Sequence, residues 1–244
     1  MSAMVHTALI AESGAAAEDA LSRWSQPADN FPGARRRSLV ARALLRGMLI
    51  RVTGGPTTGW TFGAEPSGRP IAHNAGYGSI PSISFSHSGG WVAVALSDAG
   101  TVGIDVEVHR PSRNFIEIAA AAFGSDEQRR VAVEGALGFY RIWTLREAMA
   151  KASGVGIAEV ADSVDRVAEG PKEGFWQAMI SGTAWWLAHT TPVSGLGVAV
   201  ALKRHPATRA TTCSGSCNSD SSTVRSGRVR NKHISTRIGY RRSL

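Results

Sequence analysis

The sequence predicts an α+β protein: two similar α+β halves, residues 1–100 and 101–205, followed by a disordered basic tail, residues 206–244. Three observations predict it. Each half holds a long helical pattern followed by several strand patterns. The pentapeptide Val-Ala-Val-Ala-Leu occurs near the end of each half, at 92–96 and at 198–202, as a duplication would leave it. Composition then changes after His205. Residues 206–244 carry seven Arg and one Lys against one Asp, a net +7 of the chain's formal +8, which leaves about +1 on residues 1–205. The tail also has thirteen Ser and Thr and no apolar periodicity. Such a segment cannot bury enough apolar surface to offset its ordering entropy.

The elements follow in order. Residues 35–52 read as a helix: Val40, Leu44, Leu45, Met48, Leu49 and Val52 recur at helical spacing, and Gly54-Gly55-Pro56 stops it. Residues 82–87 alternate, with Ile83, Phe85 and His87 on one face and Ser82, Ser84 and Ser86 on the other. Ser88-Gly89-Gly90 turns this strand into a second one at 91–96. Ser97-Asp98-Ala99-Gly100 supplies turn chemistry at the junction of the halves. Val102–Val108 is a further strand, residues 115–122 and 126–134 are helical, and 137–152 form a longer helix ending at Gly154. Residues 174–190 and 195–203 supply the remaining strands.

Both cysteines, Cys213 and Cys217, lie in the tail. A disulfide framework is therefore excluded for the halves, and the pair lacks the partners of a zinc site. Neither a signal peptide nor a membrane-length apolar run is legible, so the expectation is a cytoplasmic, monomeric protein without membrane partners. The near-neutral halves argue against a large nucleic-acid surface.

Two segments carry chemistry. Val102-Gly103-Ile104-Asp105-Val106-Glu107 sets Asp105 and Glu107 on one strand face. An amphipathic strand with a solvated acidic face explains this as well as a ligand site does. Gly103 favours the ligand site, since a strand glycine often marks close approach. Two carboxylates at this spacing suit Mg²⁺, which takes few protein ligands and completes its shell with water and phosphate. On the long helix, Trp143, Glu147 and Lys151 fall on one stripe beside Arg146. Alone, Glu147 and Lys151 read as a surface ion pair and Trp143 as core. Ser86-His87-Ser88 closes a strand where a histidine and hydroxyls can meet phosphate. Arg35-Arg36-Arg37 opens the first helix, a mismatch with the helix dipole that a bound anion would relieve. Gly68-Arg69-Pro70 reads as a loop or a phosphate contact.

Taken in order, these segments resemble the 4′-phosphopantetheinyl transferases of the surfactin-activating (Sfp-like) type. The resemblance rests on Gly103-Ile104-Asp105-Val106-Glu107, Trp143-Thr144-Leu145-Arg146-Glu147-Ala148-Met149-Ala150-Lys151, Gly68-Arg69-Pro70 and Ile83-Ser84-Phe85-Ser86-His87-Ser88. It covers roughly residues 20–203. It implies a pseudo-dimer of two α+β halves with the active site between them. It also implies Mg²⁺-dependent transfer of 4′-phosphopantetheine from coenzyme A to a serine of an apo acyl or peptidyl carrier protein, with release of 3′,5′-ADP. By resemblance Asp105, Glu107 and Glu147 bind the metal, and Glu147 and Lys151 are catalytic, with Lys151 on the pyrophosphate. Ser86 and His87 contact coenzyme A phosphates, and Arg37, Arg69 and Arg146 join the nucleotide-binding set. Arg146 replaces the family's usual lysine, which keeps the charge and changes the donor geometry. Whether Glu147 is base, metal ligand or both stays open at this point. Two other readings compete: an inactive carrier-protein binder that keeps the fold, and an RNA-binding protein acting through its tail. The carrier-docking surface is expected within about residues 152–185, with Phe175 and Trp176 divided between core and interface.

Overall fold

The structure is a computed structural model, and it describes residues 4–29, 35–55, 58–76, 81–157, 160, 172–204 and 238–239. In the first half, strand β1 (Met4–Ala11) precedes helix α1 (Ala15–Trp24), a single 3₁₀ turn (Pro27–Asp29) and helix α2 (Arg36–Thr53). A hairpin of β2 (Thr61–Ala64) and β3 (Pro70–His73) follows, then β4 (Ser82–Ser88) and β5 (Trp91–Ser97). The second half holds β6 (Gly100–Val108), α3 (Phe115–Ala122), α4 (Ser125–Ser153), β7 (Gly174–Ile180), β8 (Thr183–Val193) and β9 (Leu196–Arg204). A two-residue strand, β10 (Ile238–Gly239), ends the described chain.

Two four-stranded antiparallel sheets result, ordered β10-β1-β5-β4 and β6-β9-β8-β7. The repeated pentapeptide lies in β5 and in β9, an interior strand of each sheet. A long helix covers each sheet. Val40, Leu45 and Leu49 of α2 pack with Val92, Val94 and Leu96 of β5. Leu145, Ala148 and Met149 of α4 pack with Leu187, Ala199 and Ala201. Between the sheets, Val102, Ile104 and Val106 of β6 meet Ala93 and Ala95 of β5. Each fully buried side chain of Val, Leu, Ile or Met size contributes roughly 1.5–3 kcal/mol.

The helix at 35–52, the strand pairs and the helix at 115–122 form as the sequence predicts. The segments 126–134 and 137–152 form one element, α4, broken at Gly135, whose φ of 64° and ψ of −143° are not helical. β1, α1 and the β2–β3 hairpin precede or interrupt the elements read from sequence and were not expected. The tail was expected to be without structure. Within it Ile238 and Gly239 pair with Val5 and Met4 on the outer edge of β1, which offers unpaired backbone groups. Cys213 and Cys217 lie outside the described residues. No helix among the described residues is long and apolar enough to cross a membrane.

A seam of side chains joins the halves. The hydroxyls of Ser82, Ser84 and Ser88 on β4 accept from the backbone N–H groups of Val102, Ile104 and Val108 on β6, at 3.0, 3.1 and 3.2 Å. The period of two that puts these serines on one face of β4 thus lines them up along β6.

Candidate active site

The site is built where β4, β6 and the last turns of α4 meet. Gly103 sets the distance between helix and sheet. A Cβ there would lie 1.9 Å from the Ala148 carbonyl oxygen and 2.7 Å from the Ala152 nitrogen. The glycine therefore marks close approach by α4, and the expectation that it admits a ligand is corrected. For the same reason the acidic face of β6 is closed to water at Asp105, while Glu107 stays half-buried. α4 lies over it, and Asp105 is only 4% exposed.

A buried carboxylate needs partners. Asp105 Oδ1 accepts from Lys151 Nζ at 2.7 Å and from the Ser86 hydroxyl at 2.8 Å. Lys151 Nζ also donates to Ser86 Oγ at 3.0 Å and to the Ile104 carbonyl at 3.2 Å. Asp105 Oδ2 is buried and has no hydrogen-bond partner. Two residues along β6, Glu107 Oε2 accepts from the Ser88 hydroxyl at 3.0 Å. Glu147, one helical turn before Lys151, is half-buried. Burial raises its pKa above the ordinary carboxylate value, and Asp105 and Glu107 raise it further, while Lys151 opposes them. Glu147 thus lies within electrostatic reach of Asp105 and Glu107. Among the described residues, however, no three His, Cys, Asp or Glu side chains are gathered into a ready metal cluster.

Glu147 and Lys151 open into a cavity of roughly 600 Å³ between the halves. Its walls are the β2–β3 turn with Arg69, β4 with Ile83 and Phe85, and the end of α4 through Ile157. Trp143, on the stripe with Glu147 and Lys151, stacks on Phe139 at 5.7 Å and packs in the α3–α4 core.

Other expected contacts fall elsewhere. Arg146 is 2% exposed and points away from the cavity. Its guanidinium pairs with Glu127, donates to the Ala122 carbonyl and lies 4.8 Å over the Phe123 ring. A role for Arg146 in binding a nucleotide is therefore corrected: helix packing leaves it no route to solvent. Ser86 is buried and holds Asp105 and Lys151, so its hydroxyl is not presented to a phosphate. His87 is exposed on the opposite face of β4. Arg37 lies half-buried in the first turn of α2 and makes no hydrogen bond to the Asp105–Lys151 group. Arg69 reaches the end of α4 instead of an acidic partner. Of the proposed docking stretch, residues 158–159 and 161–171 lie outside the described residues. Phe175 is 37% exposed and meets Trp186 edge-on, while Trp176 packs against the core under α4.

What the sequence reading missed is the scaffolding. Ser82, Ser84 and Ser86 are visible in the sequence as an alternating set, with Ser88 at the turn that follows. Their partners on β6 are not, because pairing across a seam leaves no local pattern.

Comparison with known proteins bears on this half of the molecule. Residues 101–202 match the family model of the 4′-phosphopantetheinyl transferase superfamily. The match contains Asp105, Glu107, Glu147 and Lys151, and it ends before the tail. Phosphopantetheinyl transferase psf-1 of Bacillus pumilus is 33% identical over 129 residues, 50% of this chain and 52% of that protein. AcpT of Salmonella typhi, also named a 4′-phosphopantetheinyl transferase, is 41% identical over 87 residues, 34% of this chain and 45% of its own length. HetI of Nostoc sp. strain PCC 7120 is 29% identical over 182 residues, 70% of this chain and 73% of that protein. The chain thus spans about half the length of the first of these relatives that it matches.

Proposed function

We propose that this protein transfers 4′-phosphopantetheine from coenzyme A to a serine hydroxyl of an apo acyl or peptidyl carrier protein, releasing 3′,5′-ADP. The observation that carries the reading is the Lys151–Asp105 pair set beside Glu147 at the mouth of the inter-half cavity, inside the segment that matches the transferase superfamily. A two-half pseudo-dimer with its active site between the halves agrees with the position of that cavity.

The donor set fits a magnesium ion. Asp105 Oδ2 is a buried oxygen in need of a partner, and the Glu147 pKa is raised first by burial and then by the Asp105 and Glu107 charges, which a cation would offset. Asp105, Glu107 and Glu147 would hold it, and when bound it would supply neutralisation of the charge that develops on the pyrophosphate oxygens. The remaining chemistry belongs to the chain. The carrier serine oxygen forms a bond to the phosphorus that bears pantetheine, and the bond from that phosphorus to the bridging oxygen breaks. The bridging oxygen leaves with 3′,5′-ADP. The serine proton passes to Glu147, directly or through water. Lys151 places its ammonium against the pyrophosphate as charge builds. His87, exposed on β4, and Arg37 are assigned to the phosphates of coenzyme A.

The test is incubation with coenzyme A, Mg²⁺ and a panel of apo-carriers, with the products weighed. One carrier should gain a single phosphopantetheinyl group on serine. Asp105→Asn should lose at least about 100-fold in kcat, since it removes the charge and keeps the shape. Near wild-type turnover by that variant would remove Asp105 from the metal site. Absence of transfer to every carrier by the wild type would favour an inactive carrier binder.

A further inference from the structure

We infer that Arg69 is a positioning residue that latches the end of α4 and so holds Lys151 on Asp105. The inference rests on the transferase reading only for its catalytic consequence. Arg69 sits in the turn of the β2–β3 hairpin, where Glu65 N–H donates to its carbonyl at 2.8 Å. Its Nη2 crosses to the second half and donates to the Ala152 carbonyl at 2.8 Å and to the Lys151 carbonyl at 3.4 Å. These bonds join residues 83 and 82 positions apart.

The last carbonyls of a helix have no intrahelical donor. Gly154 N–H closes back on the Ala150 carbonyl, which leaves the carbonyls of Lys151 and Ala152 to be satisfied. Arg69 satisfies both with a charged donor at the negative end of the helix dipole. The fit is close: a Cβ on Gly154 would lie 3.0 Å from Nη2. Among the described residues the guanidinium makes no other hydrogen bond, and its Nε is buried without a partner. Arg69 is therefore committed to the helix end and not to a carboxylate. The residue whose carbonyl it holds is the one whose ammonium meets Asp105, Ser86 and the Ile104 carbonyl. Backbone and side chain of Lys151 are thus fixed from opposite sides, the backbone by the hairpin and the side chain by β4 and β6. Removing Arg69 leaves two carbonyls bare, frees the last turn to fray, and loosens the ammonium from its carboxylate.

The experiment uses the full chain with Arg69→Ala, Arg69→Gln and Arg69→Lys. Lys151 acetylation by an amine-reactive ester is followed by mass spectrometry without substrates, with Lys203 in the same molecule as the reference. Arg69→Ala should raise Lys151 labelling about 5-fold relative to Lys203, and Arg69→Lys should restore most of the protection because a cation remains at the helix end. In turnover, kcat of Arg69→Ala at saturating coenzyme A should fall about 10-fold and Arg69→Lys should recover most of it, the mark of an effect on positioning that saturation with ligand does not relieve. Should Arg69→Ala fail to fold, Arg69→Gln, which keeps a neutral donor, gives the same readings. Unchanged Lys151 labelling in a folded variant overturns the inference. So does a large rise in the Kd for coenzyme A with kcat preserved, which would make Arg69 a ligand contact. If the wild type transfers nothing from coenzyme A and Lys151 is still unmasked by Arg69→Ala, the latch stands and the proposed reaction falls.

Discussion

At the scale of single residues, the site separates charges that look alike in sequence. Arg146 and Lys151 are five positions apart on one helix, yet one is sealed against Glu127 and the other lies at the cavity. Breaking a buried pair leaves an uncompensated charge. Arg146→Ala should therefore lower stability by about 3–5 kcal/mol in denaturant melts. Its affinity for coenzyme A, measured on the folded fraction, should not change. Glu147 behaves in the opposite way. Its folded pKa lies above the ordinary value of 4.5, so the folded state favours the protonated form. The stability this contributes is complete below the unfolded value and is lost as pH rises through the folded one. Ionised Glu147 thus weighs against folding at neutral pH. Glu147→Gln should raise Tm at pH 7, and the gain should vanish near pH 4. Thermal melts of both proteins across this range check the sign. A Tm that falls at pH 7 would mean that the Glu147 carboxylate is net stabilising.

At the scale of elements, the helix α4 and the strand β6 were legible because each has a strong period and a glycine at a decisive place. The sequence pattern put Asp105 and Glu107 on one face of β6, and that is where they are. It did not reveal what covers the face. A strand with alternating apolar and acidic residues looks the same whether its polar side meets water or a helix, because the difference lies in a neighbour distant in sequence. Gly103 was the available signal and was read as room for a ligand. Gly103→Ala tests the correction. Its methyl group would strike backbone atoms on α4, which cannot rotate away as a side chain would. The cost should be at least about 2–3 kcal/mol in a urea melt, from overpacking. A neutral substitution would mean that α4 can ride outward without loss. The hairpin β2–β3 was illegible for another reason: each strand has only four residues, too few to show a period.

At the scale of the whole molecule, the two halves meet along β4 and β6, and the cavity, the Asp105–Lys151 pair and Arg69 all lie on that boundary. Of the chain beyond His205, the described residues Ile238 and Gly239 form β10 on the far edge of β1 and are not among the residues lining the cavity. Truncation after His205 should therefore preserve kcat and the fold, apart from faster amide exchange at the β1 edge. Its net +7 would draw an acidic carrier by long-range attraction. Any loss should appear in kcat/KM at low ionic strength and fade as salt rises. Loss of kcat at every salt concentration would make the tail part of the catalytic unit. The serine seam has one more consequence. An outer strand with bare amides invites any passing chain to add itself in register and start an aggregate. Here Val102, Ile104 and Val108 have already given their amides to the hydroxyls of Ser82, Ser84 and Ser88 on β4. The β6 edge of the second sheet is thereby closed to strangers, and the boundary that houses the chemistry also keeps that edge from taking on a foreign strand.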